Sequence, residues 1–318
     1  MNHTEDEIRL LRVSAVRQVA LEVAAFDMVA ADGRDLAPFT PGAHIDVHLP
    51  GGLIRQYSLC SDASDTSHYT VAVKKENAGR GGSLAMHERI EEGSSIAIAG
   101  PRNLFALSED ARHSVFIAGG IGITPILSMI RWLAAHGQSW ELHYCARSAQ
   151  HAAFYRELCE LGADRVHVYF SEVPLLDVRV LLAEPQAETH VYCCGPEGLM
   201  KAVKDASHGW NPAHVHFEWF AAPDVAHAPN QAFEIELKQS GRVLCVPPDQ
   251  SILQVLQGAG IAVPSACEEG VCGTCETRVL AGEIDHRDLL LSEQERAANR
   301  SMMVCVSRAC SARIVLDL

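Results

Sequence analysis

The sequence predicts a multidomain chain of α/β plus β class, with an antiparallel β-barrel first, a parallel-sheet domain second and a small β domain last. Three observations carry this. Up to residue 103, short runs alternate apolar with polar or small side chains, the period of antiparallel strands. Between 112 and 222, apolar strands alternate with helices across glycine turns, the rhythm of a parallel sheet. Past a proline-bearing stretch at 221–231, which reads as a linker, Cys267, Cys272 and Cys275 crowd into one loop. The domain limits are set at 1–103, 104–222 and 232–318, a comfortable division for 318 residues.

In the first domain the predicted strands include AHIDVHL (43–49), RQYSL (55–59), YTVAVKK (69–75) and SIAIAG (95–100), punctuated by Pro41-Gly42, Gly51-Gly52 and Gly100-Pro101. A short barrel is the natural closure for such strands. In the second, HSVFIAGG reads as a buried strand and TPILSMIRWLAAHG as a helix, because Ile126, Met129, Ile130 and Leu133 recur at helical spacing. Thr124 is expected at the N-cap, Pro125 at the first helical position and Gly137 past the C-terminus. HVYCCGPEGLMKAVKDA repeats the strand–turn–helix pattern. The third domain opens with two short strands around Gly241, continues through the helix SILQVLQGAG and closes on the strand ARIVLDL.

Composition narrows the partners. With 26 basic against 40 acidic side chains the net charge is −14, which argues against nucleic acid or an anionic membrane surface. The acidic start MNHTEDEIRL lacks a secretory core, and eleven cysteines suit a reducing compartment better than a disulfide framework, so a cytoplasmic protein is expected.

Cys267, Cys272 and Cys275 stand as C-x4-C-x2-C. Structural zinc prefers two separate C-x2-C pairs, whereas this run plus one distant cysteine is the spacing of plant-type 2Fe-2S ferredoxins. Gly270 and Gly273 let backbone N–H groups approach the sulfurs. Spacing leaves the fourth ligand open between Cys305 and Cys310. Cys60, Cys145, Cys159, Cys245 and Cys310 otherwise read as small buried hydrophobes.

Alternation sends Arg55 and Tyr57 to one face of their strand, suited to an anionic group and a flat ring. Gly81, Gly82 and Ser83 lead into a helix, which makes an anion site of N–H groups and helix dipole. In AGGIGITP (118–125), Pro125 takes the third glycine's place of the dinucleotide fingerprint, yet Gly120, Gly122 and Thr124 still bring backbone to a helix start where a pyrophosphate would bind. Cys194, with Gly195 and Pro196, ends the matching strand and is placed either towards a nicotinamide or in the core.

Taken in order, RQYS, RGGS, GGIGITP, CCGP, HFEWF and CEEGVCGTC…CVSRA run the length of the chain, and on them it resembles the phthalate dioxygenase reductase-like family within the ferredoxin–NADP reductase-like group. The resemblance implies a Greek-key flavin barrel, a nicotinamide-binding domain and a β-grasp ferredoxin domain. It assigns Arg55, Tyr57 and Ser58 to the flavin with Ser58 near its reactive nitrogen, Gly81, Gly82 and Ser83 to the flavin phosphate, and Gly120, Gly122, Thr124 and Pro125 to the nicotinamide cofactor's phosphates. Cys194, Gly195 and Pro196 fall beside the nicotinamide, Phe220 covers the flavin with Glu218 close by, and Cys305 becomes the fourth cluster ligand. Expected cofactors are FMN rather than FAD, a 2Fe-2S cluster, and NADH rather than NADPH. The expected partner is a separate terminal Rieske non-haem iron oxygenase, met transiently by a monomer. A haem mono-oxygenase as acceptor, a non-enzymatic iron–sulfur carrier and a zinc-stabilised C-terminal module are the alternatives.

Overall fold

The structure is a computed structural model and describes residues 7–171, 176–223 and 229–318. Of the expected linker, residues 224–228 lie outside this description. The chain divides between Glu218 and Trp219 into two compact units.

The first unit begins with β1 (Arg9–Ala20), β2 (Val23–Ala30), β3 (His44–Leu49), β4 (Leu53–Ser58), β5 (Tyr69–Lys74), α1 (Gly82–Arg89) and β6 (Ser95–Arg102). The six strands are antiparallel in the order β4-β3-β6-β1-β2-β5, and a Leu59–Val71 bridge joins the two ends, closing a Greek-key barrel. Strands β1 and β2 carry no clean alternation in the sequence, for two different reasons. Register shifts at Val13/Ala15 and Gln18/Ala20 break the period of β1. Strand β2 is buried on both faces: Ala24, Phe26 and Met28 face the barrel core, while Val23 and Ala25 join the core of the following sheet.

That sheet is built from β7 (His113–Gly119), α2 (Ile123–Ala135), β8 (Ser139–Ala146), α3 (Tyr155–Gly162), β9 (Val166–Phe170), α4 (Val178–Leu181), β10 (Thr189–Cys194), α5 (Glu197–Ala206) and β11 (Val215–Glu218). The strand order is β11-β10-β7-β8-β9, all parallel. The chain runs outward from β7 to β9 and then returns to the other side of β7 as β10. The carboxyl ends of β7 and β10 therefore flank the switch-point crevice. In α2 the predicted apolar face is fully buried at Ile126, Met129, Ile130 and Leu133. Gly137 takes the left-handed conformation past its end (φ 66°), as expected. The N-cap expectation at Thr124 is corrected. A 3-10 turn over Gly120–Gly122 runs straight into the helix, so Gly122 takes the cap position and the Thr124 hydroxyl donates back to the Ile121 carbonyl at 3.0 Å.

The second unit holds β12 (Phe233–Leu237), β13 (Val243–Val246), α6 (Ile252–Gly258), β14 (Glu276–Ala281), β15 (Ile284–Asp285), α7 (Glu293–Ala298), β16 (Ser301–Met303), β17 (Arg308–Ala309) and β18 (Arg313–Leu316). Its mixed sheet runs β13-β12-β18-β14-β16, with β12 and β18 parallel side by side, the β-grasp arrangement. Alternation sets the faces: Phe233, Ile235 and Leu237 point inward, while Glu234 and Glu236 point outward to Arg313. Both helices α6 and α7 start with a capping box, Ser251 with Gln254 and Ser292 with Glu295. Two of the cysteines expected as buried hydrophobes are exposed, Cys245 and Cys310. Cys245 pairs in register with Glu234 on the outward face of edge strand β13, and Cys310 lies just past β17.

Candidate functional site

At the switch point two backbone turns touch. A Cβ on Gly122 would lie 2.2 Å from the Cys194 carbonyl oxygen, and one on Gly119 would lie 2.4 Å from Pro196 Cδ. Gly195 is as tightly held, with Gly119 Cα 3.0 Å from where its Cβ would stand. These three glycines let the turn after β7 pack on the turn after β10. Gly120 differs, since its φ is +54° and a Cβ there would meet nothing within 4 Å, so its backbone faces open space. The Tyr144 hydroxyl donates to its carbonyl at 3.1 Å and fixes that peptide. Sequence reading placed Gly120 and Gly122 together as a cradle. The packing gives Gly122 to the turn–turn contact and leaves Gly120 at the opening, and it adds Gly119, whose role needs the spatial neighbour to be seen. Thr124 and Pro125 are buried in the first turn of α2.

Cys194 and Glu218 are register partners at the carboxyl ends of β10 and β11. From the barrel, the buried Ser58 hydroxyl donates to Glu218 Oε2 at 3.3 Å. Burial pushes the Glu218 carboxyl up to about 8, with the Ser58 hydrogen bond pulling the other way. Burial, followed by the charges of Glu218 and Cys193, pushes the Cys194 thiol well above its ordinary range, so it is a neutral thiol with no solvent exposure. Three uncharged polar groups from three strands thus meet at the crevice, at neutral pH. Phe220 lies two residues beyond Glu218 and is 44% exposed.

A second cluster lies across β4 and the start of α1. The Arg55 guanidinium donates to the Arg80 carbonyl at 3.0 Å and to the Ile54 carbonyl at 2.7 Å. Gly82 sits beneath that side chain: a Cβ there would come 2.5 Å from Arg55 Cγ. Gly81 caps α1 in the left-handed conformation (φ 81°), and no side chain caps the helix's first N–H groups. A fixed cation beside uncapped helix N–H groups fits a phosphate. The Ser83 hydroxyl accepts from Glu76 N at 3.0 Å and so also ties the preceding loop to the helix. Tyr57 is partly buried, packed against the barrel core, and desolvation pushes its hydroxyl up to about 12.

In the second unit Cys267, Cys272, Cys275 and Cys305 are all buried. The Cys275 and Cys305 sulfurs are 3.1 Å apart, Cys267 hydrogen-bonds Cys272, and Cys310 stands apart with its N–H on the Glu283 carbonyl. Backbone N–H groups ring the sulfurs: Glu269 N lies 3.3 Å from Cys267 Sγ, Val271 N–H also bonds Cys267, Thr274 N–H bonds Cys272 and Gly270 N–H bonds Cys305. Such a nest stabilises thiolates and bridging sulfide, so the residues present fit a 2Fe-2S cluster. Gly270 (φ +71°) and Gly273 (φ +74°) turn those amides inward.

Known proteins match along the whole chain. Residues 10–106 match the oxidoreductase FAD-binding domain, 95–215 the N-terminal domain of the dimethylamine monooxygenase subunit DmmA-like family, and 235–313 the 2Fe-2S iron-sulfur cluster binding domain. A vanillate O-demethylase oxidoreductase of Pseudomonas sp. (strain HR199 / DSM 7063) is 49% identical over 313 residues, 96% of this chain and 98% of the relative. Phthalate dioxygenase reductase of Burkholderia cepacia is 39% identical over 319 residues, 99% of this chain and 98% of the relative. A solved phthalate dioxygenase reductase, described as carrying electrons from pyridine nucleotides to [2Fe-2S], superposes with a TM-score of 0.74 at 38% identity over 98% of both chains. An intact type IV self-sufficient cytochrome P450 monooxygenase superposes at 0.90 with 40% identity, where this chain spans 98% of itself and 41% of that protein. Barrel, switch-point crevice and thiol nest define an oxidoreductase with a flavin-binding domain and a 2Fe-2S domain. The chain belongs to the phthalate dioxygenase reductase-like family.

Two measurements check this geometry. Gly122→Ala forces the two turns apart and should abolish tight nicotinamide binding, whereas Gly120→Ala meets open space and bears only the strain of a positive φ, of order 1–2 kcal/mol; titration of nicotinamide cofactor into each variant compares them. Glu218 titrates near its ordinary 4.5 unfolded and near 8 folded, so the folded state binds its proton more tightly. The stability this contributes is complete below the unfolded value and is lost as pH rises through about 8. Thermal unfolding across that range should show a fall for the wild type that Glu218→Gln removes.

Proposed function

We propose that this protein takes a hydride from NADH and delivers electrons singly, by way of FMN and a 2Fe-2S cluster, to a separate terminal Rieske non-haem iron oxygenase that oxygenates or demethylates an aromatic compound. The observation that carries the reading is the meeting of Ser58, Cys194 and Glu218 at the crevice, beside a glycine turn that opens at Gly120. A bound flavin would supply the conversion between a two-electron donor and a one-electron acceptor.

The chain's residues then divide the work across 1–103, 104–222 and 232–318. Arg55 with Gly81, Gly82 and Ser83 holds the flavin phosphate, and Tyr57 and Ser58 orient the ring. Gly120, Gly122, Thr124 and Pro125 shape the turn that receives the nicotinamide cofactor's phosphates. Cys194, Gly195 and Pro196 line the nicotinamide side, where the buried neutral thiol presents no charge to repel hydride. Glu218, held protonated by desolvation, accepts the Ser58 hydroxyl's hydrogen bond without setting a negative charge beside the ring. Phe220 covers the ring face. Cys267, Cys272, Cys275 and Cys305 hold the cluster. FMN is favoured over FAD, and NADH over NADPH, by the order of the domains and the motifs that the chain shares with the family. The vanillate O-demethylase oxidoreductase and phthalate dioxygenase reductase relatives support an aromatic-compound oxygenase as acceptor. The partner would meet a cytoplasmic monomer transiently, steered by the eight acidic side chains that residues 265–295 carry around the cysteine loop in sequence, among them Glu268, Glu269, Glu276, Glu283 and Glu293.

A haem protein as acceptor is the second reading. It is favoured by a 40% identical relative named the beta subunit of a heme-dependent oxidative N-demethylase, and by the P450 likeness. Visible absorption of the anaerobic protein tests the shared part: flavin and cluster bands should both bleach with NADH and far more slowly with NADPH. Cys305→Ser should lose the cluster bands and its iron while Cys310→Ser keeps both; the reverse would assign the fourth ligand to Cys310. Turnover assays with purified Rieske and haem oxygenases then separate the two acceptors.

A further inference from the structure

Behind the cysteine loop lies a buried carboxylate that the proposed electron route does not use. Asp288 has a fully buried side chain. Its Oδ1 accepts from Leu290 N at 3.0 Å and Leu291 N at 2.8 Å, while its Oδ2 has no hydrogen-bond partner. His286, itself buried, brings Nδ1 to 3.7 Å from that oxygen, and neither of its ring nitrogens is hydrogen-bonded. The Arg296 guanidinium is 3.9 Å from Oδ1 and partly exposed, and it donates to the Leu291 carbonyl at 3.0 Å and to the Asp288 carbonyl. A buried, under-satisfied carboxylate is expensive and marks a place where charge is put to use.

Its position relative to the loop is direct. Leu289 N–H donates to the Gly270 carbonyl at 3.0 Å. A Cβ on Gly270 would lie 3.1 Å from Asp288 Cα, so the two backbones are in contact. Gly270 in turn sends its N–H to the Cys305 sulfur. The turn that Asp288 holds together with Leu290 and Leu291 is therefore the support on which that N–H is aimed.

We propose that Asp288 is a positioning residue of the cysteine loop and that its charge holds the cluster's reduction potential low. Reduction adds one negative charge to the cluster, and a fixed carboxylate a single packing layer away, in a medium of low dielectric, opposes it. Arg296 offsets part of that charge. The inference rests on the reading that the loop holds a 2Fe-2S cluster, and iron and sulfide content of the wild-type chain tests that reading separately.

The experiment is a potentiometric titration of the full chain, followed at the cluster's visible bands and by EPR. Asp288→Asn keeps an acceptor oxygen for Leu290 and Leu291 N–H and removes only the charge. It should shift the cluster's one-electron equilibrium about tenfold towards the reduced form, a rise of about 59 mV. Arg296→Met leaves the carboxylate less compensated and should shift the equilibrium the opposite way, by about threefold because the guanidinium is partly solvated. Opposite signs are the signature of charge; loosening of the loop would move both variants the same way. Shifts of equal sign, or none, overturn the proposal. Should Asp288→Asn fail to hold its cluster, Arg296→Met decides alone: a fall supports the proposal, and no fall overturns it.

Discussion

The redox geometry of the first unit depends on one packing constraint, a single apolar core shared by the barrel and the parallel sheet. Val23, Ala25, Cys60, Ala72 and Phe105 from the barrel side pack with Phe116, Leu127, Met129, Tyr144 and Cys194. The contact leaves no slack. A Cβ on Gly42 would lie 2.0 Å from the Phe105 carbonyl oxygen and 2.7 Å from Met129 Cε, and the Gly42 N–H donates to Ser128 in α2 at 3.0 Å. Because both bodies are close-packed across this seam, Ser58 is held against Glu218 although 160 residues separate them. The same packing half-buries Glu218 between β10 and the barrel, and that desolvation raises its carboxyl.

The second unit meets a different requirement, which is to gather four sulfurs that repel one another as thiolates. It does so with backbone rather than with cationic side chains. Glu268, Gly270 and Gly273 all take positive φ, turning successive amides to one side of the loop. Only Glu268 bears a side-chain penalty there, of order 1 kcal/mol. Met303 and Val304 carry Cys305 to the loop from the main sheet, and the 286–291 segment closes over Gly270.

Much of this was legible in the chain. Alternation marked β12 and β18, which bury one face and turn the other outward; β3 and β5 were legible from their own apolar and polar alternation although both are buried along nearly all their length, and helical spacing marked α2. C-x4-C-x2-C was legible because cluster ligation imposes a local spacing. Strand β2 was not, since burial on both faces erases alternation, and β1 was not, since two bulges shift its phase. Thr124 read as a helix cap because a threonine before proline usually is one; the 3-10 turn of Gly120–Gly122 displaces it by entering the helix without a break.

The sequence by itself determined the class of this protein, three domains in order, a flavin and nicotinamide oxidoreductase ending in a 2Fe-2S module, because motif spacing and strand or helix period are local properties of the chain. Tertiary structure alone decided which glycine faces open space and which is spent on packing, as between Gly120 and Gly122. It places Cys305 3.1 Å from Cys275 and leaves Cys310 exposed, the choice that spacing left open and the family resemblance implied, and it alone brought Asp288 behind Gly270. These are contacts between residues distant in the chain, and what a side chain does there depends on neighbours that no local pattern records.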